Sequence, residues 1–505
     1  MTRMTRRKAI GLVTAGAGLA LSGLPGTGAS VQQPVGEEAG ALALLGSNGV
    51  DGRDYRMRIE GIIPDALRGS LYRNGPGMFE RRGYRKRNVL DGDGLVQRVS
   101  FDEQGARYQN AFVQTPKFIA EQAADRFTHS TWTTRAPGGP LSNIGGGKMA
   151  SQAGVTIYEF AGRLFALDEV APIYELDPVT LETIAEHDPG DADLPFANKA
   201  HTKIDPANGE WIIAGGVFGR QQKLHVVVRN PDGSIKSHRV VAEVDNHYVH
   251  DFFVTQTKVI FVLHPVIMNP LGFMMGTQSF TQALRWQPER GNRILVVNRD
   301  GEPDPVWLEA DSAFMWHAVN AYDREDGRIV MDFPGYDNPD HFIGEDPQLN
   351  ALMQGRLGQS ANPGSLRRYV LDLATRRVDH QTLDGGHHEF PTIDPLAIGR
   401  EHRYGYLAAF GAGGITRGIK RFDYQTGRSE SFDFGPGVTV GEPIFARAPD
   451  SWEETGWLIQ QGLAADTERS FFAIFRSDAV GDGPVAIAHA EHHIPISFHG
   501  CWSAA

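Results

Sequence analysis

From about residue 60 to the C-terminus the chain is written in short apolar runs broken by Gly, Asp, Asn and Pro. The stretches "KVIFVLHPVIM", "NRILVVNRDG", "RIVMDFPGYD", "YGYLAAFG", "GWLIQQG" and "SFFAIFRS" are rich in β-branched and aromatic residues and bounded by turn formers, which predicts strands. Four segments repeat one cadence, an apolar strand, an Asp- or Asn-led turn and a charged strand: "YELDPVTLET", "VVRNPDGSIKSHRVV", "YVLDLATRRVDH" and "RFDYQTGRSESF". A hairpin that recurs without a recurring sequence is how the outer strands of propeller blades read. No strand–helix alternation argues for a doubly wound parallel sheet. Two patches interrupt the pattern. "KFIAEQAADRF" (117–127) predicts a helix, and "PLGFMMGTQSFTQALRW" (270–286) is apolar enough to be core, a lid over a pocket or a lip that touches a membrane.

Composition narrows the function classes. Fifty-nine glycines and 29 prolines in 505 residues suit a fold of many turns rather than a helical bundle. A net charge of −12, with no Lys/Arg-rich stripe after the opening residues, excludes a nucleic-acid partner. Cys501 is the only cysteine, which excludes an internal disulfide and a thiolate metal cluster. The N-terminal stretch "MTRMTRRKAIGLVTAGAGLALSGLPGTGAS" has a basic start with Arg6-Arg7, a weakly apolar run and small residues near Ala29. That layout predicts a twin-arginine-type export signal over residues 1–29, hence a periplasmic protein. A basic tail without targeting function is the competing reading. Residues 30–59 are expected to be a linker and 60–505 a single propeller domain. No later stretch resembles a transmembrane segment.

Among 18 histidines, those inside apolar or strand-like contexts are the informative ones. His201 lies in "ANKAHTKIDP", His250 in "YVHDFFVT", His317 in "FMWHAVNAYD" and His499 in the closing "PISFHGCWSAA". Taken singly, each also reads as a hydrogen-bonded core histidine, and intervals of 49, 67 and 182 residues are too wide for a motif. His264, in "FVLHPVIM", is a rival in an equally apolar setting. A metal-ligating imidazole usually passes its other N–H to a carboxylate. Glu169 in "LFALDEVAP", Glu389 in "HHEFPTID" and Glu442 in "GEPIFA" adjoin apolar strand ends, where an acid needs a reason, although each also fits an exposed turn.

The chain resembles the carotenoid cleavage oxygenases, a group that also holds lignostilbene dioxygenases and retinal-pigment-epithelium isomerases. The matching segments are "GSLYRNGPG" (69–77), "LDGDGLV" (90–96), "AFVQTPKF" (111–118), "LFALDEVAPIYELDPVTLET" (164–183) and "NKAHTKIDP" (198–206), continuing through "HDFFVT" (250–255), "WHAVNAYD" (316–323), "EFPTID" (389–394), "GEPIFARAPD" (441–450) and "FHGCW" (498–502). The resemblance implies an all-β fold, a seven-bladed β-propeller with a helical and loop cap over an iron-bearing face. It implies one Fe(2+) per chain, held on the axis by His201, His250, His317 and His499. Glu169, Glu389 and Glu442 are then expected behind His250, His317 and His499, with no carboxylate behind His201. The implied reaction is cleavage of a C=C bond of a carotenoid or apocarotenoid by O2, giving aldehyde or ketone products. No acid–base residue is nominated.

Departures from the family bear on the substrate. The chain reads "RNVLDGDG" where many relatives carry His-x-Phe before the Asp-Gly-Asp-Gly, and "NAFVQT" where stilbene-cleaving relatives read "NRYVRT". Phe112 therefore stands where a tyrosine helps hold a phenol in those relatives, and Lys148 is the nearest match to their phenol-binding lysine. An unpaired buried hydroxyl costs about 1–3 kcal/mol, so these differences favour an apolar polyene over a stilbenoid or isoeugenol-like phenylpropenoid. Peripheral membrane contact is compatible with such a substrate. A secreted propeller that binds without catalysis is the reading from another class. "YRNGPG" and "DGDG" are read as turn chemistry that needs positive φ.

Overall fold

The computed structural model describes residues 50–86, 88–146, 149–170, 172–302, 304–340, 363–411, 416–449, 451 and 454–505. Seven antiparallel sheets, five of four strands and two of five, form the blades of a β-propeller, as expected. The innermost strands, in chain order, are Thr156–Phe160, Ala197–Ile204, Phe253–Val254, Asn320–Asp323, His388–Thr392, Val438–Arg447 and His499–Ala504. Neighbouring blades pack face to face through aliphatic clusters. Ile212, Val226 and Val228 of one blade, for example, meet Val259, Phe261 and Leu263 of the next.

The recurring cadence maps onto the third and fourth strands of four blades: Ile173–Leu176 with Thr183–His187, Gln222–Arg229 with Ile235–Val244, Ser365–Asp372 with Arg377–Asp384, and Thr416–Asp423 with Arg428–Asp433. The acidic residue is there for the turn. Asp177, Asp232, Asp372 and Asp423 each accept hydrogen bonds from backbone N–H groups two or three residues ahead.

The ring closes with the chain's end. His499–Ala504 pairs antiparallel with Gly69–Met78, setting His499 opposite Asn74. The expected boundary at residue 60 falls inside the fold, because Asp54–Arg56 pairs with Gly105–Phe112 and Arg58–Gly61 with Ala486–His489. Residues 1–29 lie outside the described residues.

Positive φ is not what the two glycine motifs supply. "YRNGPG" lies within the strand Gly69–Met78, and Gly75, Gly77, Gly92 and Gly94 are absent from the positive-φ glycines. They serve close approach. A Cβ at Gly75 would stand 2.5 Å from Ser497 Cα, and one at Gly94 would stand 2.3 Å from the Ala153 carbonyl oxygen. At Gly75 backbones from opposite ends of the sequence meet, and at Gly94 two segments 59 residues apart, with no room for a methyl group at either.

A cap covers one face. The helix predicted over 117–127 runs Pro116–Ala124, capped by the Thr115 hydroxyl and terminated at Asp125 with φ 48°. The 270–286 patch forms two short helices, Pro270–Met274 and Phe280–Ala283, and then Leu284–Trp286, which pairs with Val266–Met268. No helix among the described residues is long and apolar enough to cross a membrane.

Candidate metal centre

Four inner strands deliver the four histidines to the axis. His201 lies within Ala197–Ile204 and His499 opens His499–Ala504, whereas His250 and His317 sit three residues before Phe253–Val254 and Asn320–Asp323. The expected regular strand through 248–254 is therefore shorter. Tyr248 and His250 line one cavity, but Phe252 turns into the interblade core. One nitrogen from each of the four imidazoles lies within 4.8 Å of every other. Two nitrogens on opposite sides of an ion about 2.1 Å away would be about 4.2 Å apart, so this spacing is close to a coordination sphere. The rings meet edge to face, His201 and His499 with centroids 4.4 Å apart.

Three imidazoles are held from behind. His250 Nδ1 donates to Glu169, His317 Nδ1 to Glu389 at 2.5 Å and His499 Nδ1 to Glu442 at 2.9 Å. A carboxylate can only accept, so each bond fixes the proton on Nδ1 and leaves Nε2 for the centre. The carboxylates are themselves anchored. Glu389 takes Phe390 N–H at 2.8 Å and Tyr336 O–H at 3.2 Å, Glu442 takes Gly500 N–H at 3.0 Å, and Glu169 takes Tyr248 O–H at 3.4 Å. Among the described residues His201 has no carboxylate partner, and its Nε2 is buried without a hydrogen bond.

Electrostatics keep the centre ready to ligate. Burial, then the neighbouring imidazoles, holds His201 and His499 well below the usual histidine range. Burial also lowers His317, but Glu389 outweighs it and the net direction is upward. Burial pushes Glu442 up to about 7 against the opposing charge of Arg73. Two imidazoles, His201 and His499, that resist protonation, and an orphaned Nε2 that costs about 1–3 kcal/mol if nothing meets it, fit a dication at this point.

The environment is two-sided. On the cap side a cavity of about 140 Å³ reaches His250, His317 and His499 and is walled by Trp132, Tyr248, Trp316, Tyr336, Phe390 and Phe498. Beyond Trp132 and Tyr248, which it shares, lies a larger outer cavity of about 520 Å³. Away from the cap a more polar cavity follows the inner strands past His201, Lys203, Asp251 and Asn320.

Of the two sequence-predicted pocket residues, Lys148 lies outside the described residues. Phe112 is buried elsewhere: it stacks on Phe118 at 5.0 Å and packs with Met78 and Leu95 beneath the helix Pro116–Ala124, lining neither cap-side cavity. The rival His264 is a core residue. Its Nδ1 donates to the Ala313 carbonyl at 2.7 Å, and it stays in the blade beside Phe314. Cys501 is half-buried, and burial pushes its thiol up to about 12, leaving it inert.

Arg73 was not visible as a site residue. Fully buried, it donates through Nε to Ser497 Oγ and through Nη1 to the Glu442 carbonyl at 2.9 Å, and its Nη2 lies 3.4 Å from the Ser497 and Phe498 carbonyls. Asp91, in "LDGDGLV", is a second such residue. Its carboxylate accepts from Thr131 Oγ1, Thr133 N–H, Thr133 Oγ1 and Thr134 Oγ1, pinning the loop that carries Trp132. The motifs containing these residues were the only signal in the sequence.

Comparison with known proteins agrees with this geometry. The family model described as retinal pigment epithelial membrane protein matches residues 48–504, and the chain belongs to that family. It is 29% identical to apocarotenoid-15,15'-oxygenase of Synechocystis sp., over 89% of this chain and 93% of the relative. Isoeugenol monooxygenase of Pseudomonas putida is 26% identical, over 90% of this chain and 96% of the relative. The solved structure of cobalt-substituted Synechocystis apocarotenoid oxygenase superposes with a TM-score of 0.86 at 27% identity, covering 94% of this chain and 100% of that one. The resemblance drawn from the short motifs thus extends over nearly the whole chain.

Proposed function

We propose that the protein is a non-haem Fe(II) dioxygenase that cleaves a C=C bond of a carotenoid or apocarotenoid with O2. The observation that carries this is the four-histidine group, with three of its imidazoles fixed by carboxylates, opening onto an aromatic cavity. Four neutral imidazoles accept several divalent metals. Iron is inferred from the oxygenase relatives, and a cobalt-substituted neighbour supports a first-row dication at this point. The chemistry such an ion supplies when bound is the activation of dioxygen toward an alkene.

The balance is simple: one alkene and one O2 give two carbonyl products, with both oxygen atoms retained and no external reductant. The chain's own residues bind and orient. Trp132, Tyr248, Trp316 and Phe390 offer flat apolar walls to a conjugated chain, and the buried Glu–His pairs keep the imidazoles aimed. The largely aromatic walls disfavour water, and two polar side chains of the lining are turned into the wall: Gln152 donates to the Leu90 and Gly92 carbonyls, and Thr416 to that of Val440.

An apolar rim supports access from a membrane surface. Leu141, Ile144, Leu271, Met274 and Met275 are 52–84% exposed and lie on the helix Pro270–Met274, just after it, or on the 3-10 segment Pro140–Gly146. Residues 1–29 are read as a twin-arginine export signal and the mature protein as periplasmic. The deciding assay supplies ferrous protein with oxygen and either a polyene aldehyde or an isoeugenol-like alkene, and reads carbonyl products by mass. Cleavage of the polyene supports the proposal. Cleavage of the phenylpropenoid alone moves the substrate class, and no cleavage of either by iron-loaded protein overturns the dioxygenase reading.

A further inference from the structure

The outer cavity is largely apolar, with Glu169, Lys199, Gln222 and Asn246 as the charged and amide side chains on its wall. Phe218, Met268, Phe273, Met274 and Phe280 line it, yet Lys199 and Gln222, from the same blade, also face it. Both are buried, Lys199 at 5% exposure and Gln222 at 0%. Neither spends its hydrogen-bonding capacity within the protein. Gln222 has no partner at either Nε2 or Oε1. The nearest carboxylate to Lys199 Nζ is Glu169 Oε2 at 3.9 Å, outside hydrogen-bond range, and the other Glu169 oxygen is committed to His250.

The other buried or half-buried lysines show what the fold does when a lysine is structural. Lys117 reaches Asp93 and Glu121, Lys203 lies 2.8 Å from Asp251, and Lys86 donates to the Asp91 carbonyl at 2.6 Å. Lys199 instead stands 5.5 Å from the centre of the Tyr248 ring, on the residue that divides the outer cavity from the metal cavity. A buried ammonium without a hydrogen bond, beside a buried amide without a partner, is costly unless something else meets them. Gly216 accommodates the amide: a Cβ there would lie 3.0 Å from Gln222 Nε2.

We propose that Lys199 and Gln222 form a polar subsite for the far end of the substrate, and that Lys199 selects alkenes bearing a terminal oxygen over pure hydrocarbons. The ammonium donates to a carbonyl, hydroxyl or phenolate oxygen, and the Gln222 amide donates a second bond or accepts from a hydroxyl. The carbon chain then runs past Trp132 and Tyr248 toward the histidines. This rests on the alkene-cleavage reading and adds the chemistry of the substrate's end.

The test compares wild type with Lys199→Met, which keeps length and removes the charge, and with Gln222→Leu. Substrates are a polyene aldehyde, the carotene hydrocarbon of the same chain type, and a hydroxystilbene. Lys199→Met is expected to raise KM for the oxygen-bearing substrate about tenfold, with kcat and iron content little changed and the hydrocarbon unaffected. The aldehyde and stilbenol arms distinguish a carbonyl from a phenolic oxygen. Independently of turnover, binding of the polyene aldehyde to metal-free wild type should red-shift its absorption band, and Lys199→Met should abolish that shift. Equal KM changes on hydrocarbon and aldehyde, or loss of iron in Lys199→Met, would overturn the subsite and make Lys199 a support for Glu169. If the wild type cleaves nothing, the alkene-cleavage reading fails, while the absorption shift still decides whether Lys199 meets the oxygen.

Discussion

Arg73 and Glu442, 369 residues apart in the chain, are joined by a hydrogen bond of 2.9 Å from the guanidinium to the Glu442 backbone carbonyl. The same side chain holds Ser497 and faces the Phe498 carbonyl, so one cation organises both the carboxylate behind His499 and the segment that delivers His499.

Arg73→Met should therefore damage the centre without touching it. Removing one partner of a buried charged network typically costs about 3 kcal/mol or more. A lower urea midpoint together with a substoichiometric iron-to-protein ratio is the expected result. A fall in stability with full iron occupancy would confine Arg73 to the scaffold.

The three carboxylates should matter unequally from the one imidazole that lacks them. Glu389→Gln and Glu442→Gln should each weaken metal affinity about 10- to 100-fold, measured by competition with a chelator. Stripping the metal should abolish turnover, and ferrous iron should restore it. If the glutamine variants bind iron as tightly as wild type, the carboxylates do not orient the ligands.

Asp91 governs a loop rather than a reaction. Asp91→Ala removes the acceptor for four hydrogen bonds from residues 131–134, and Trp132 is the wall between the two cap-side cavities. Faster proteolysis of the 128–146 segment is expected, with KM raised severalfold and iron content preserved.

Acid should unfold the propeller through histidines far from the centre. Burial holds His264 at about 4 and His402 at about 3, both below the unfolded value of about 6.5. Between those limits the unfolded chain binds more protons. The stability from keeping each ring neutral is present above about pH 6.5 and is lost as pH falls toward 4 for His264 and toward 3 for His402, roughly 2.5 kcal/mol for each by pH 4.5. Melting curves at pH 7.5 and 4.5 test this. His402→Phe should flatten the dependence, and an unchanged slope in that variant would place the acid sensitivity elsewhere.

Membrane contact through the rim is measured by co-sedimentation with phospholipid vesicles. Leu271→Glu with Met274→Glu should reduce the bound fraction severalfold while cleavage of a detergent-dispersed substrate persists. Equal sedimentation of variant and wild type would exclude this surface.

The strands and the outer hairpins were legible because their cause is local: apolar alternation and Asp-led turns act within ten residues or so. His201, His250, His317 and His499 stood out because a strand places a polar ring among aromatics only with a reason, and family motifs then ordered them. Arg73 was not legible as a site residue, nor was the crowding around Gly75 and Gly94, because each depends on backbone segments distant in the chain, hundreds of residues away for Arg73 and Gly75. Phe112 was misplaced for the same reason: a motif position says which relative it resembles, not which wall it faces. Lys199 and Gln222 look like ordinary surface residues in sequence and become conspicuous only in the fold, where both are buried on the wall of one cavity.

The strand His499–Ala504 carries the fourth imidazole and also zips the final blade onto Gly69–Met78. Until those last residues have been synthesised and docked, a nascent chain holds at most three of the four nitrogens and an unsealed circle. The full set of four nitrogens and the closed ring therefore form together, and a chain in which His499–Ala504 is undocked has neither.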